Sequence, residues 1–132
     1  MAQTRFEKLR VYRLSEEIAD FTWDAVEKWE PLARDTIGIH FIRAADSIGA
    51  NIAEGAGRGS IRENRRFARN ARGFLFELKH WLRRANQRGL LAEEEIEMFK
   101  KLLDELTPKL SAYINAIGKK SKTTDNPQYT TH

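Results

Sequence analysis

The sequence contains no cysteine, which removes disulfide bonding, thiolate catalysis and thiolate metal ligation from consideration. No apolar run approaches the roughly 18 residues that a membrane span requires. The amino terminus carries no apolar region of the secretory type, so a cytoplasmic location and no membrane partner are expected. No segment alternates apolar and polar residues over a strand's length, so strands are not expected. Prolines number only three, leaving long stretches free to be helical. At 132 residues, the chain has material for one core and one domain.

What remains is apolar spacing of three and four residues. Val11, Leu14, Ile18, Phe21, Ala25 and Trp29 predict a first helix over about residues 8–29, with Pro31 marking its end. A second helix is predicted from Asp35, as N-cap, through Ile37, Phe41, Ala44, Ile48 and Ile52. The run Gly55-Ala-Gly-Arg-Gly59 is expected to stop it. Ser60-Ile-Arg-Glu63 has the form of a capping box and opens a third helix. Its core stripe reads Phe67, Ala71, Phe74, Leu78, Leu82 and Ala85, and Gly89 closes it. A fourth helix carries Ile96, Phe99, Leu103, Leu106, Leu110 and Ile117, with Pro108 expected to kink it. The fold class is therefore all-α. Short connections predict an antiparallel up-down-up-down four-helix bundle over residues 1–118, followed by a disordered tail over 119–132.

The net charge of +4 hides a strong segregation. Residues 16–30 hold six acids against Lys28, whereas residues 58–88 hold ten basic residues against Glu63 and Glu77. On the third helix, Arg58, Arg62, Arg65, Arg69, Arg72 and Arg83 fall within roughly 40° of one direction, opposite the core stripe. Phe76 sits within this ridge, and Arg66 and Lys79 join it, with His80 close by. Cations tracking phosphates beside a ring that stacks on a base are the means by which single-stranded nucleic acid is bound. A solvated face and a subunit contact are the other readings of the same ridge.

The second helix is apolar on two sides. Beyond its core stripe, Ile39, Ile42, Ala50 and Ala53 face the opposite way, which predicts a homo-oligomer interface. Between the two faces runs a polar stripe of Arg43, Ser47, Asn51, Glu54 and Arg58. It is expected to form a buried hydrogen-bond network that fixes helix register. A phosphate site is the alternative, but no strand precedes the glycines, so they are weak evidence for a phosphate-cradling loop.

Enzyme readings fail on missing partners. Glu77-Leu-Lys-His80 is one half of a di-iron motif, and no second half exists. Arg34 and His40 are spaced like the pair of bundle-type ribonucleases of the toxin class, but they straddle a predicted N-cap. No catalytic residue, metal site or cofactor is expected. Trp23, Trp29 and Trp81 are read as core or interface anchors.

The segment Ser47-Ile-Gly-Ala-Asn-Ile-Ala-Glu-Gly-Ala-Gly-Arg58, followed by Phe67, Ala71-Arg-Gly73 and Glu77-Leu78, resembles the four-helix-bundle family named for ribosomal RNA intervening sequences. Members of that family are encoded within insertions in bacterial large-subunit ribosomal RNA genes, and elsewhere. The family is similar in turn to the accessory protein of diversity-generating retroelements, a basic five-fold barrel that binds nucleic acid and a reverse transcriptase. The resemblance implies a homopentameric ring and marks Arg43, Asn51, Glu54, Arg58 and Glu77 as matching polar positions, so that Glu77 joins the expected network. Gly49 stands where the family often has proline, implying a more flexible helix, and Phe74 where it often has serine. The function expected is non-enzymatic RNA or DNA binding by an oligomeric bundle. The rivals are an adaptor for an acidic partner or a reverse transcriptase, and a toxin-like ribonuclease.

Overall fold

A computed structural model describes Phe6 and residues 9–123 of the chain, with side chains as far as Ile117. It contains α1 (Arg10–Glu27), the single turn α2 (Pro31–Arg34), α3 (Ile37–Gly57), α4 (Ile61–Gln87) and α5 (Glu93–Thr123). No strand occurs among the described residues. The four long helices form a bundle in which α1 and α4 each pack against both α3 and α5.

The helices begin and end where their chemistry directs, with two exceptions. Ser60 caps α4 by accepting from the Glu63 amide at 3.3 Å, but the Glu63 carboxylate turns to Arg66 and leaves the box half made. Gly89, at φ +69°, ends α4 with the Gly89 amide on the Asn86 carbonyl and the Leu90 amide on the Ala85 carbonyl. This is the paired closure that a left-handed residue after the helix permits. Glu95 accepts from the Ala92 amide at 2.9 Å and steadies the start of α5, whose first turn is acidic, as the helix dipole favours.

The exceptions lie at α2 and at the glycine run. Pro31 stands just past the end of α1, as expected, but it also opens α2, at a position where its missing N–H costs nothing. Asp35 is the C-cap of that turn, bonded to Arg34, and Thr36 takes the N-cap position of α3 without a side-chain cap. The glycine run does not stop α3 at once either. The helix continues through Gly55 to Gly57, and Gly59, at φ +74°, turns the chain. At the far end α5 passes through Pro108 and reaches Thr123, so residues 119–123 are helical rather than part of a tail. Residues 124–132 lie outside the described residues.

Expected and observed cores agree closely on α3, where Ile37, Phe41, Ala44, Ile48 and Ile52 are all buried. Phe41 packs on Phe99 with ring centres 5.4 Å apart, and Phe21 meets Phe99 edge-on at 4.8 Å. On α4 the stripe is displaced. Ala68, Ala71, Leu75, Leu78 and Ala85 are buried, while Phe67, Phe74 and Leu82 are half-buried at its margins. Small residues on the centre line let neighbouring helices approach, and the large rings close the flanks. Thr22 and Ser15 are buried in α1, and each hydroxyl donates to a carbonyl of the preceding turn, at 2.7 and 2.6 Å. Neither therefore carries an unmet polar group into the core.

Candidate nucleic-acid interface

The surface of α4 away from the core is cationic over its first half. Arg62, Arg66 and Arg69 are exposed, and Arg65 and Arg72 are half-buried. Farther along, Phe76 is 59% exposed, Lys79 is half-buried and Arg83 is exposed. Ile61, Arg62, Arg65, Arg66, Arg69 and Asn70 line an open groove of ≈ 680 Å³. The Nε of Arg65 is buried and has no hydrogen-bond partner.

Counter-ions within the chain divide this set in two. Arg66 bonds Glu63 at 2.8 and 3.2 Å, which raises the Arg66 pKa and lowers that of Glu63, in each case chiefly through the hydrogen bond. Arg58 pairs with Glu54 at 3.4 Å. Both guanidiniums also lie over Phe67, 4.9 and 4.7 Å from its ring centre. No carboxylate among the described residues makes an ion pair with Arg62, Arg65, Arg69, Arg72 or Arg83. Among the described residues five ridge arginines thus make no ion pair, and two are paired within the chain.

Among the described residues the expected polar stripe makes local bonds rather than one buried network. Asn51 donates to the Ser47 backbone carbonyl at 2.8 Å, Glu54 pairs with Arg58, and Glu77 accepts from Trp81 Nε1 at 3.1 Å. Arg43, Glu54 and Arg58 are exposed and Ser47, Asn51 and Glu77 half-buried, so the stripe is a helix surface on which Asn51, Glu54 and Glu77 bond locally at a spacing of four residues. Glu77 belongs to α4 and makes no bond to the α3 set. Gly49 also has a different role from added flexibility. A Cβ there would come within 2.8 Å of the Ser15 hydroxyl, so the glycine lets α3 and α1 approach.

The second apolar strip of α3 is open in part. Ile39 is 56% exposed, Ala50 is exposed, and Ile42 and Ala53 are half-buried. Trp23 on α1 is likewise 56% exposed rather than a core anchor, whereas Trp29 is buried.

The two residues of the ribonuclease-like pair are committed elsewhere. Arg34 bonds Asp35 at 3.0 Å, and the His40 imidazole stacks on Trp81, ring centres 4.9 Å apart and planes 13° from parallel. His80 meets the same indole edge-on at 4.7 Å. This ring cluster joining α3 to α4 was missed by the helical patterns. Its signal lay in register: Gly55 abuts Phe67 and His40 abuts Trp81, so contacting α3 and α4 residues lie about equally far to either side of Ser60 and Ile61. Among the described residues no group of acids and histidines is placed to hold a metal ion, and no helix is long and apolar enough to cross a membrane.

Residues 7–112 match the family described as 23S rRNA-intervening sequence protein. No curated protein matches the chain.

Proposed function

The chain belongs to the 23S rRNA-intervening sequence protein family, and from that premise we propose that it is a non-enzymatic, oligomeric bundle that binds nucleic acid through phosphates. One observation carries the proposal: Arg62, Arg65, Arg69, Arg72 and Arg83 share the outer side of α4 and make no ion pair among the described residues. Unpaired guanidiniums on one face attract a polyanion and release its counter-ions on contact. The groove lined by Arg62, Arg65, Arg66 and Arg69 adds a recess in which a phosphate would meet several guanidiniums at once.

The bundle is read as antiparallel and up-down-up-down. The pairs Ser15 with Gly49 and Val26 with Gly38, then Arg10 with Glu105 and Lys28 with Glu95, support opposed neighbours. A closed homopentamer is the proposed assembly. The open strip of Ile39 and Ala50 beside Trp23 offers apolar area for it, and closure would leave no unsatisfied end. The cytoplasm is the proposed location.

Fluorescence anisotropy with labelled single-stranded RNA, duplex DNA and an acidic polypeptide tests the function. Arg62→Glu together with Arg69→Glu, both at exposed positions, is expected to abolish nucleic-acid binding with circular dichroism unchanged. Binding that survives with its salt slope intact would remove the ridge from the proposal. Preference for the acidic polypeptide would favour an adaptor. RNA cleavage lost in His40→Ala would make the protein a ribonuclease.

A further inference from the structure

The outer side of α4 changes chemistry halfway along. Up to Arg72 its outward line is mainly arginine; Phe76 and His80 then follow as exposed rings before Arg83. At 100° per residue Arg62, Arg69, Phe76 and His80 lie within about 40° of one line, and Arg69 and Phe76 are about 10 Å apart along the axis. Between them is Gly73, where an added Cβ would meet nothing within 4 Å. Glycine weakens a helix interior relative to alanine, and no packing among the described residues requires it. Its effect is to leave bare backbone between the last arginines and the first exposed ring.

The rings are held in place. Trp81 Nε1 donates to Glu77 at 3.1 Å, which fixes the indole. His40, reaching across from α3, lies parallel on the indole and is itself exposed, and His80 is exposed at its edge. Lys79 places its ammonium 5.2 Å from the Phe76 ring centre, so a cation accompanies the rings as well.

Resting on the phosphate-binding reading above, we propose that Phe76, His80 and the His40–Trp81 stack form a platform for the unpaired bases of a single-stranded nucleic acid whose phosphates follow the α4 arginines. The adjoining positive ridge selects a polyanion, and the rings select one with flat faces to offer. A duplex hides those faces in its own stack, and an acidic protein has none in its repeating charge. Gly73 lets the strand lie close to the helix as it passes from ridge to platform.

Anisotropy titrations of the full chain with four probes of matched charge test this: a single-stranded oligonucleotide, the same strand made abasic, a duplex and polyglutamate. The base-bearing strand is expected to bind about ten-fold more tightly than the abasic one, as stacking of a base on a ring implies. Phe76→Ala with His80→Ala should erase that preference while leaving abasic and duplex affinities and their salt slopes unchanged. His40→Ala, on a different helix, should lower the same preference. Equal wild-type affinity for base-bearing and abasic strands would overturn the platform and leave the phosphate ridge standing. So would a preference retained in the double variant, or polyglutamate binding as tightly as the base-bearing strand. Failure of every nucleic-acid probe to bind would remove the ridge reading itself.

Discussion

Gly55 of α3 lies so close to Phe67 of α4 that a Cβ built on the glycine would stand 2.9 Å from the phenylalanine Cβ. The Asn64 carbonyl and side-chain oxygens would be within 3.0 and 2.9 Å of the same atom. The Asn64 side chain can rotate away, but the Phe67 Cβ and the Asn64 carbonyl belong to or adjoin the backbone and cannot swing aside. Gly55→Ala is therefore expected to push α3 from α4 and cost about 1–3 kcal/mol, as overpacking does. Urea denaturation measures it. An unchanged midpoint would mean that the two helices are not in this contact in solution.

Ser60 supplies a smaller, local test. Its hydroxyl accepts from the Glu63 amide, and α4 has no other side-chain cap at that end. Ser60→Ala should lower stability by about 1 kcal/mol. Ser60→Asp should retain the cap and, at the positive end of the helix dipole, be at least as stable.

Asp46 on the outer side of α3 has a pKa raised by burial and, secondarily, by the Asp20 carboxylate. Its folded form holds a proton at pH values where the unfolded chain has released it. Within the window from the ordinary carboxylate value up to the raised one, stability therefore falls as pH rises, and the cost persists above it. Asp46→Asn is expected to stabilise the protein at neutral pH and to lose that advantage in acid. Thermal melts of both proteins across pH 3–7, on the order of the carboxylate titration range, give the comparison. A difference in melting temperature that does not shrink in acid would sink this assignment.

Spacing of three and four residues was enough to reveal four long helices, because burial of one apolar stripe per helix is the dominant demand on such a chain. The α3 stripe from Ile37 to Ile52 was legible residue by residue. On α4 the same method placed Phe67 and Phe74 at the centre. Hydropathy ranks a ring above alanine, whereas close helix packing puts Ala68 and Ala71 on the midline. The ridge arginines were visible for the converse reason: charge spaced along one side of a helix must face outward. Their pairing was not, since whether Glu54 meets Arg58 or a residue of another helix is decided by side-chain geometry. The His40–Trp81 stack depended on the register of two helices, which no single-helix pattern contains.

Pairing at home sets the expected salt dependence. With Arg58 and Arg66 engaged by Glu54 and Glu63, five ridge arginines and Lys79 remain to neutralise phosphates. At roughly −0.7 per phosphate on a single strand, the log–log slope of affinity against salt should be no steeper than about −4.2 per bound chain. Each change of Arg62 or Arg69 to glutamine should reduce it by about 0.7. Arg66→Gln should alter it little, and a full unit lost there would show that the Glu63 pair opens on binding.

Gly73 separates stability from binding most sharply. Its surroundings are empty out to 4 Å, so alanine fits without a clash. In a helix interior alanine is favoured over glycine by about 1 kcal/mol. Gly73→Ala should therefore raise the melting temperature by a few degrees, a shift expected of roughly that energy in a chain of this size. Gly73→Leu should also fold, since the added side chain points into solvent, but it would cover the bare backbone between Arg69 and Phe76. Single-strand affinity is expected to fall in the leucine variant, with the abasic and duplex affinities affected less. If leucine leaves single-strand affinity untouched while the arginine changes abolish it, the strand meets the arginines but does not cross the helix at Gly73.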